Sequence, residues 1–496
     1  MSWTRATRYR HYREMTEVEE QELLERVNNS IWRQKFHIQP PYGLLNDPNG
    51  FTFYQGKYHL FYQWFPFGPV HGMKHWYHVE SEDLIHWQEK GLGIAPEYEH
   101  ESHGIFSGSG IVKDDLLYLF YTANKRDQDW NRESSQSFTV MDKHGKFTKQ
   151  EEPVIPKQPE GYTANFRDPK VWKNGNIFYM IIGAERENHT GCVLIYKSVD
   201  LRNWSFEGEL KTNFENFGYM WECPDIFQID GKDVLLLSPQ GLESEGDFYQ
   251  NVHNSGCFIG SLNIEKYSFQ SDGFQELDAG FDFYAPQTTK APDGRQILIG
   301  WMGLPDTTYP ADKDMWANCL TVPRELHIKN NKVYQSPVKE LDEKRGSLTE
   351  WQGKLSKEEK YLENFSGKTY ELVCNLKVED GTGGLKLRTG KEEETLLYLD
   401  TKLQKVVLDR SNSGEPVAVD YGTIRQAAYT DSKISLRIFV DTSSIEIFVN
   451  DGELVFTTRI FPKEESQGVK IFADDTEVSL DMKKWEYGDL SSLKNL

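Results

Sequence analysis

A repeat of about 54 to 63 residues constrains this chain more than any other feature of its sequence. One unit begins at Asp47 (DPNGFTFY) and continues through Gln55-Gly56 into KYHLFY. Others begin at Ser107 (SGSGIVKDDLLYLFY), Asp168 (DPKVWKNGNIFYMII) and Glu222 (ECPDIFQIDGKDVLLL), and a fainter one at Ala285 (APQTTKAPDGRQILIGW). Each reads as a short strand, a tight turn containing Gly or Asp, and a second apolar strand. A shorter echo, Ser-x-Asp-Leu-x-x-Trp, occurs at 81–87 and again at 198–204. Repeats of this length with several strands apiece predict the blades of a β-propeller, five of them, over residues 30–335. Equivalent positions of successive blades surround one axis, so the strand-initial residues should meet at one mouth. Asp47, Asp168 and Glu222 are among them.

Beyond the repeat the chain remains all-β in pattern. Residues 336–350 read as a connector and 351–496 as a β-sandwich, with Tyr370, Leu372, Cys374, Leu376 and Val378 alternating at period 2. Asn450-Asp451-Gly452 is a hairpin turn signal within it. Residues 1–29 form an N-terminal extension, with a short polar helix expected over 14–29 and no function assigned.

Composition removes several classes of function. A net charge of -21 argues against nucleic acid, whose affinity rests on Lys and Arg neutralising phosphates. The opening residues hold no apolar run that could serve as a signal, and no stretch of the chain has the length and apolarity of a membrane span. Five scattered Cys without metal spacing fit free thiols in a reducing compartment. The expectation is a cytoplasmic protein whose partner is a small molecule, with no membrane or nucleic acid and with the oligomeric state unread.

Taken singly, each motif has a structural explanation. Asn46-Asp47-Pro48-Asn49-Gly50 is a strong turn-forming string. Arg167-Asp168 could be a surface ion pair of little energetic weight. Glu222 is one acid among 77. None of these explains why the three carboxylates recur at corresponding repeat positions. Two carboxyl groups flanking a scissile bond are the minimal machinery of glycoside hydrolysis, one ionised to attack and one protonated to assist the leaving group. A third carboxylate nearby should help keep the acid, Glu222, protonated, and Arg167 should keep Asp168 ionised.

The strings GLLNDPNGF, YHLFYQW, FSGS, FRDPKVW, YMWECPDIF and DTSSIEIFVNDGE together resemble glycoside hydrolase family 32, the invertases, inulinases and levanases. By that resemblance Asp47 is the nucleophile, Glu222 the general acid/base and Asp168 a transition-state stabiliser. Asn46, Gln63, Phe106, Ser107 and Arg167 would line the fructose subsite with Asp168 and Glu222. The implied reaction is retaining β-fructofuranoside hydrolysis through a covalent fructosyl-Asp47 species, with carboxyl groups about 5–5.5 Å apart. No cofactor and no metal are implied. Cys223, beside the acid, is expected to pack rather than react.

Within the family the chain is most similar to bacterial members acting on sucrose-6-phosphate. His71, Lys74 and His75, in FPFGPVHGMKHWYH, are the expected phosphate ligands, with Arg126 and Arg132 in NKRDQDWNRE as rivals. An invertase or short-fructan exohydrolase using unphosphorylated sugar is the alternative reading. A non-catalytic sugar-binding propeller and a protein-binding scaffold represent other classes, and release of reducing sugar from sucrose separates the enzyme from both.

Overall fold

The computed structural model describes residues 3–487; residues 1, 2 and 488–496, the last nine of which end the expected sandwich segment, lie outside the described residues. Five antiparallel sheets stand around one axis, each starting at its centre with one strand: Gly43–Tyr54, Ile105–Lys113, Tyr162–Asn174, Met220–Ile229 and Tyr284–Lys290. These inner strands touch in sequence order and the fifth returns to the first. Further strands follow outwards in each blade. The ring is fastened where Trp316–Ala317, from the chain segment of blade 5, pairs in parallel with Gly43 and Leu44 of blade 1.

The second strands read as continuous apolar runs because both faces are covered by neighbouring blades. Ile181 and Val193 of blade 3, for example, pack against Leu235, Leu237 and Phe258 of blade 4, all essentially inaccessible to solvent. Each such side chain contributes about 1.5–3 kcal/mol of burial. The echo motif has a structural counterpart. Asp83 and Asp200 each accept backbone N–H bonds from the residues that follow, Leu84 and Leu201 adopt positive φ, and Trp87 and Trp204 each donate to the carbonyl of that Leu.

Every inner strand carries a two-for-one β-bulge where its repeat begins. Asn46-Asp47 face Gln63, Phe106-Ser107 face Thr122, Asp168-Pro169 face Ile182, Cys223-Pro224 face Leu237, and Ala285-Pro286 face Gly300. In blades 3, 4 and 5 the second bulge residue is Pro, which the unpaired position tolerates because no ladder N–H is needed there. The bulge re-aims side chains that regular pleating would send into the blade packing.

The C-terminal part is a sandwich of two six-stranded sheets. Tyr370–Val378 lies in one of them with its alternate residues inward. The hairpin turn Asn450–Gly452 presses on blade 5: Gly452 has φ of 87°, and a Cβ there would come within 1.8 Å of the Gln335 carbonyl oxygen. Only glycine fits both the conformation and the space. Residues 336–350 are more structured than a connector. The blade 5 strand runs to Pro337, a 3-10 turn spans Lys339–Lys344, and a sandwich strand starts at Arg345. That strand is a largely exposed edge without apolar alternation, so its sequence reads as linker.

Buried charges join the two parts. His37 lies between Asp441 (2.8 Å) and Glu446 (2.9 Å) of the sandwich, and Arg324 of blade 5 reaches Glu446 (2.7 Å) and Asp278 (3.3 Å). Asp441 and Glu446 belong to the DTSSIE string, so that motif works at the seam between the propeller and the sandwich. At the N-terminal end, Thr16 and Glu19 form a capping box for the helix Glu17–Asn28, whose Leu23 and Val27 pack on the main core.

Candidate active site

The five bulges create three tiers of side chains about the axis. Arg167, Glu222 and Tyr284 each immediately precede a bulge, on three successive blades, and are bonded side by side. Arg167 Nε and Nη2 reach Glu222 Oε1 at 2.8 and 2.7 Å, and Tyr284 OH donates to Glu222 Oε2 at 2.6 Å. First bulge residues form the next tier: Asn46, Phe106, Asp168, Cys223 and Ala285. Asp47 and Ser107 are second bulge residues on adjacent blades, and Ser107 Oγ donates to Asp47 Oδ2 at 2.5 Å. The three carboxylates therefore do not share one repeat position, contrary to the reading of the sequence. They occupy three consecutive positions across the bulge, which sets them at different heights in one mouth.

The tiers are linked. Gln63 Nε2 donates to Ser107 Oγ (2.8 Å), and Asn46 Nδ2 donates to Gln63 Oε1 (2.6 Å) and Asp47 Oδ1 (3.1 Å). Asp168 adopts φ of 70° and its N–H donates to Thr122 Oγ1 (2.9 Å); its Oδ2 accepts the Cys223 N–H (2.9 Å). Cys223 Sγ stands 3.7 Å from Asp47 Oδ2 and 3.6 Å from Asp168 Oδ2. Burial, with Asp168, Asp47 and Glu222 around it, pushes this thiol well above its ordinary pKa. It is therefore a protonated donor to both carboxylates rather than a nucleophile, a contribution beyond simple packing.

Proton distribution differs from the expectation. Arg167 bonds to Glu222, not to its sequence neighbour Asp168. Burial alone would raise the Glu222 carboxyl, but the Arg167 guanidinium and the Tyr284 hydroxyl outweigh it and hold Glu222 below its ordinary value. Asp168 is raised to about 7 by burial and by the charge of Glu222, with Arg167 opposing. Asp47 is raised by burial and by Glu222, against bonds from Ser107 and Asn46. These surroundings favour an ionised Glu222 and disfavour ionisation of Asp168 and Asp47.

The three expected phosphate ligands part company. Lys74 is buried, and its Nζ donates to Asn46 Oδ1 at 2.6 Å. Its ammonium is thus engaged with Asn46, next to Asp47, and is not free for a distant phosphate. Burial lowers its pKa to about 7 against the pull of Asp47. His75 is fully buried beside Trp64 and Tyr12, and burial lowers its pKa to about 3. A neutral ring without solvent access holds no phosphate. His71 alone is exposed, its ring 6.1 Å from that of Trp301 and its carbonyl oxygen accepting from Arg8 Nη1.

Several residues here escaped the sequence reading. Asn165 Oδ1 accepts from Arg167 Nη1 (2.8 Å) and from Arg132 Nη1 (3.1 Å), and the Arg132 guanidinium lies 5.5 Å from the Phe106 ring. Tyr284 could have been found, since it precedes the fifth repeat start as Glu222 precedes Cys223. Two carboxylates on one wall, a third bonded to Arg and Tyr, and several amide and hydroxyl groups suit a polyhydroxylated substrate and acid–base displacement chemistry.

Comparison with known proteins agrees with this architecture. Residues 37–337 match the description "Glycosyl hydrolases family 32 N-terminal domain" and residues 337–486 match "Glycosyl hydrolases family 32 C terminal". The chain is 44% identical to a sucrose-6-phosphate hydrolase of Staphylococcus xylosus over 98% of each chain. It is 39% identical to one of Bacillus subtilis over 90% of this chain and 92% of that protein. Among solved structures it superposes on a sucrose-6-phosphate hydrolase of Lactobacillus gasseri with a TM-score of 0.93 (37% identity, 99% of this chain and 100% of that one). A Bombyx mori β-fructofuranosidase, determined as a mutant in complex with sucrose, gives 0.82 (34% identity, 96% and 99%). The chain is a glycoside hydrolase and belongs to family 32.

Proposed function

We propose that the protein is a retaining β-fructofuranosidase that hydrolyses sucrose-6-phosphate, and sucrose more slowly, to fructose and glucose 6-phosphate or glucose. The observation that carries the chemistry is the convergence of Asp47, Asp168 and Glu222 from three blades on one mouth, with Cys223 Sγ in contact with two of them. The phosphorylated substrate is supported by relatives 35–44% identical over nearly their full length, each named for that activity.

Asp47, oriented by Asn46 and Ser107, attacks the anomeric carbon of the fructosyl unit. The bond to the glucosyl oxygen breaks as Glu222 gives that oxygen its proton. Water then attacks the fructosyl-Asp47 ester, Glu222 takes the water's proton, and Asp47 leaves as carboxylate. Asp168, held by Thr122 and Cys223, binds fructosyl hydroxyls, and Asn46, Gln63, Phe106, Ser107 and Arg167 shape the same subsite. Because Arg167 favours an ionised Glu222 in the free protein, Glu222 must take up a proton, with Asp168 as the nearest raised carboxyl, before the bond breaks. Esterification of Asp47 removes one negative charge and leaves Glu222 ready as base.

Two measurements test this. Wild-type kcat/KM should be at least about tenfold higher for sucrose-6-phosphate than for sucrose, the value of one charge-assisted contact. Equal values would favour an invertase on unphosphorylated sugar. The pH profile of kcat/KM should fall as pH rises through about 7, because Asp168 and Lys74 both lose their protons there. A profile flat to pH 9 would contradict the shared-proton account.

A further inference from the structure

Outside the catalytic mouth, a second set of charges has no function yet. Arg126 and Arg132 face each other directly across the outer end of the blade 2 hairpin. Like charges so placed repel. The adjoining cross-strand pair is compensated, Lys125 lying 3.6 Å from Glu133, whereas neither arginine has a carboxylate in ion-pair reach among the described residues. Arg126 Nη1 donates only to the Trp130 carbonyl (3.2 Å), and its Nε is buried without an acceptor. In a chain with 77 acidic residues against 56 basic ones, two uncompensated arginines side by side are not a by-product of composition.

The N-terminal segment adds to them. Arg5–Arg8 is one helical turn capped by Thr4, and it lies against blades 1 and 2 through Met73 and Trp130. Arg8 fastens it: its carbonyl accepts the Met73 N–H (2.7 Å) and its Nη1 donates to the His71 carbonyl (3.1 Å). Arg5 is exposed, with its guanidinium 4.3 Å from the centre of the Trp130 ring, and the Arg126 guanidinium lies 5.9 Å from the same ring. Tyr9 packs on Trp130 as well, at 5.2 Å. The cluster is tied to the catalytic residues. Arg132 shares Asn165 with Arg167, and Arg167 holds Glu222, the proposed proton donor to the leaving oxygen.

We infer that Arg5 of the N-terminal segment, with Arg126 and Arg132 of blade 2, grips the phosphate of the glucosyl leaving group, and that Arg8 positions the segment that carries Arg5. This rests on the sucrose-6-phosphate reading above and replaces His71, Lys74 and His75 as its ligands. Residues 3–36 precede the stretch that matches the family. Selectivity for a phosphorylated sugar is thus built partly from residues outside the stretch that matches the family. Guanidinium groups suit the task, since they bind phosphate oxygens in pairs and stay charged.

The experiment compares kcat/KM for sucrose-6-phosphate and sucrose in wild type, R5Q, R126Q, R5Q/R126Q and R126K. Inhibition of sucrose hydrolysis by glucose 6-phosphate is measured alongside, and thermal melts confirm folding. R126Q should cut the preference for the phosphorylated sugar about tenfold or more, mostly through KM, and weaken glucose 6-phosphate by a similar factor. R5Q, on an exposed arginine, should cut it about threefold, and R126K should recover part of what R126Q loses. If wild type prefers sucrose-6-phosphate and every variant keeps that preference, the phosphate is held elsewhere: the inference fails and the proposed activity stands. If wild type hydrolyses both sugars equally, the phosphorylated substrate and this site fall together.

Discussion

Asp47→Asn is expected to lower sucrose hydrolysis by about 10⁴-fold or more, since it removes the carboxylate that forms the fructosyl ester. The protein should stay folded and melt slightly higher. Burial and Glu222 both disfavour an ionised Asp47, so a neutral amide relieves repulsion that the fold otherwise carries. Glu222→Gln should cost about 10²–10⁴-fold on sucrose, yet lose much less on a fructoside whose leaving group needs no proton. In the double variant the losses should not multiply, because both residues serve one displacement. Identical responses of the two single variants to leaving-group quality would show that the roles are assigned wrongly.

The second large effect is on stability. Glu446→Ala would leave Arg324 and His37 buried at the seam with much of their countercharge gone, at an expected cost of about 3–5 kcal/mol. Set against a typical total of about 5–15 kcal/mol, that is severe. Chemical denaturation of wild type and variant measures it; a change below about 1 kcal/mol would mean that water or rearrangement compensates the charges. The same network predicts a pH dependence. Burial disfavours the His37 cation, but bonds to Asp441 and Glu446 outweigh this and raise its pKa from 6.5 to about 9. A raised folded-state value stabilises fully below the unfolded value, and the contribution, about 3 kcal/mol, disappears as pH rises through about 9. Asp441 and Glu446 are held below their ordinary values despite burial, so their contribution is lost on the acid side as pH falls through those lowered values. The seam should be strongest between the two limbs.

How much of this was legible in the sequence depended on distance along the chain. The propeller was readable because each blade repeats a local pattern, and Pro169, Pro224 and Pro286 even mark the bulges, a signal that went unused. Asp168 and Glu222 fell into the right mouth because blade equivalence is a long-range rule that repeats reveal. Pairings between blades were not readable. Arg167 stands beside Asp168 in sequence, but it precedes the bulge and therefore meets Glu222 of the next blade. His71, Lys74 and His75 part for a related reason: closeness in sequence does not give shared surroundings where a strand begins, and His75 enters a blade, Lys74 turns to Asn46 and His71 stays exposed. The polar N-terminal stretch gave no sign of where it would dock, since a short amphipathic segment names no partner.

The two-residue parallel clasp between Trp316–Ala317 and Gly43–Leu44 has a consequence for how such a chain can change. An open solenoid gains or loses a repeat at little cost, because each unit meets only its neighbours. A closed ring has no free end, so an added or deleted blade would alter the angle at all five contacts and spread the carboxylates apart. Variation in this architecture is thus confined to what lies outside the wheel: its connecting loops, the N-terminal segment and the sandwich. Conversely, since the clasp is noncovalent, the wheel need not begin where it does. New termini cut at an exposed hairpin turn such as Asp230-Gly231, with the old ends joined by a linker, would keep every contact around the axis.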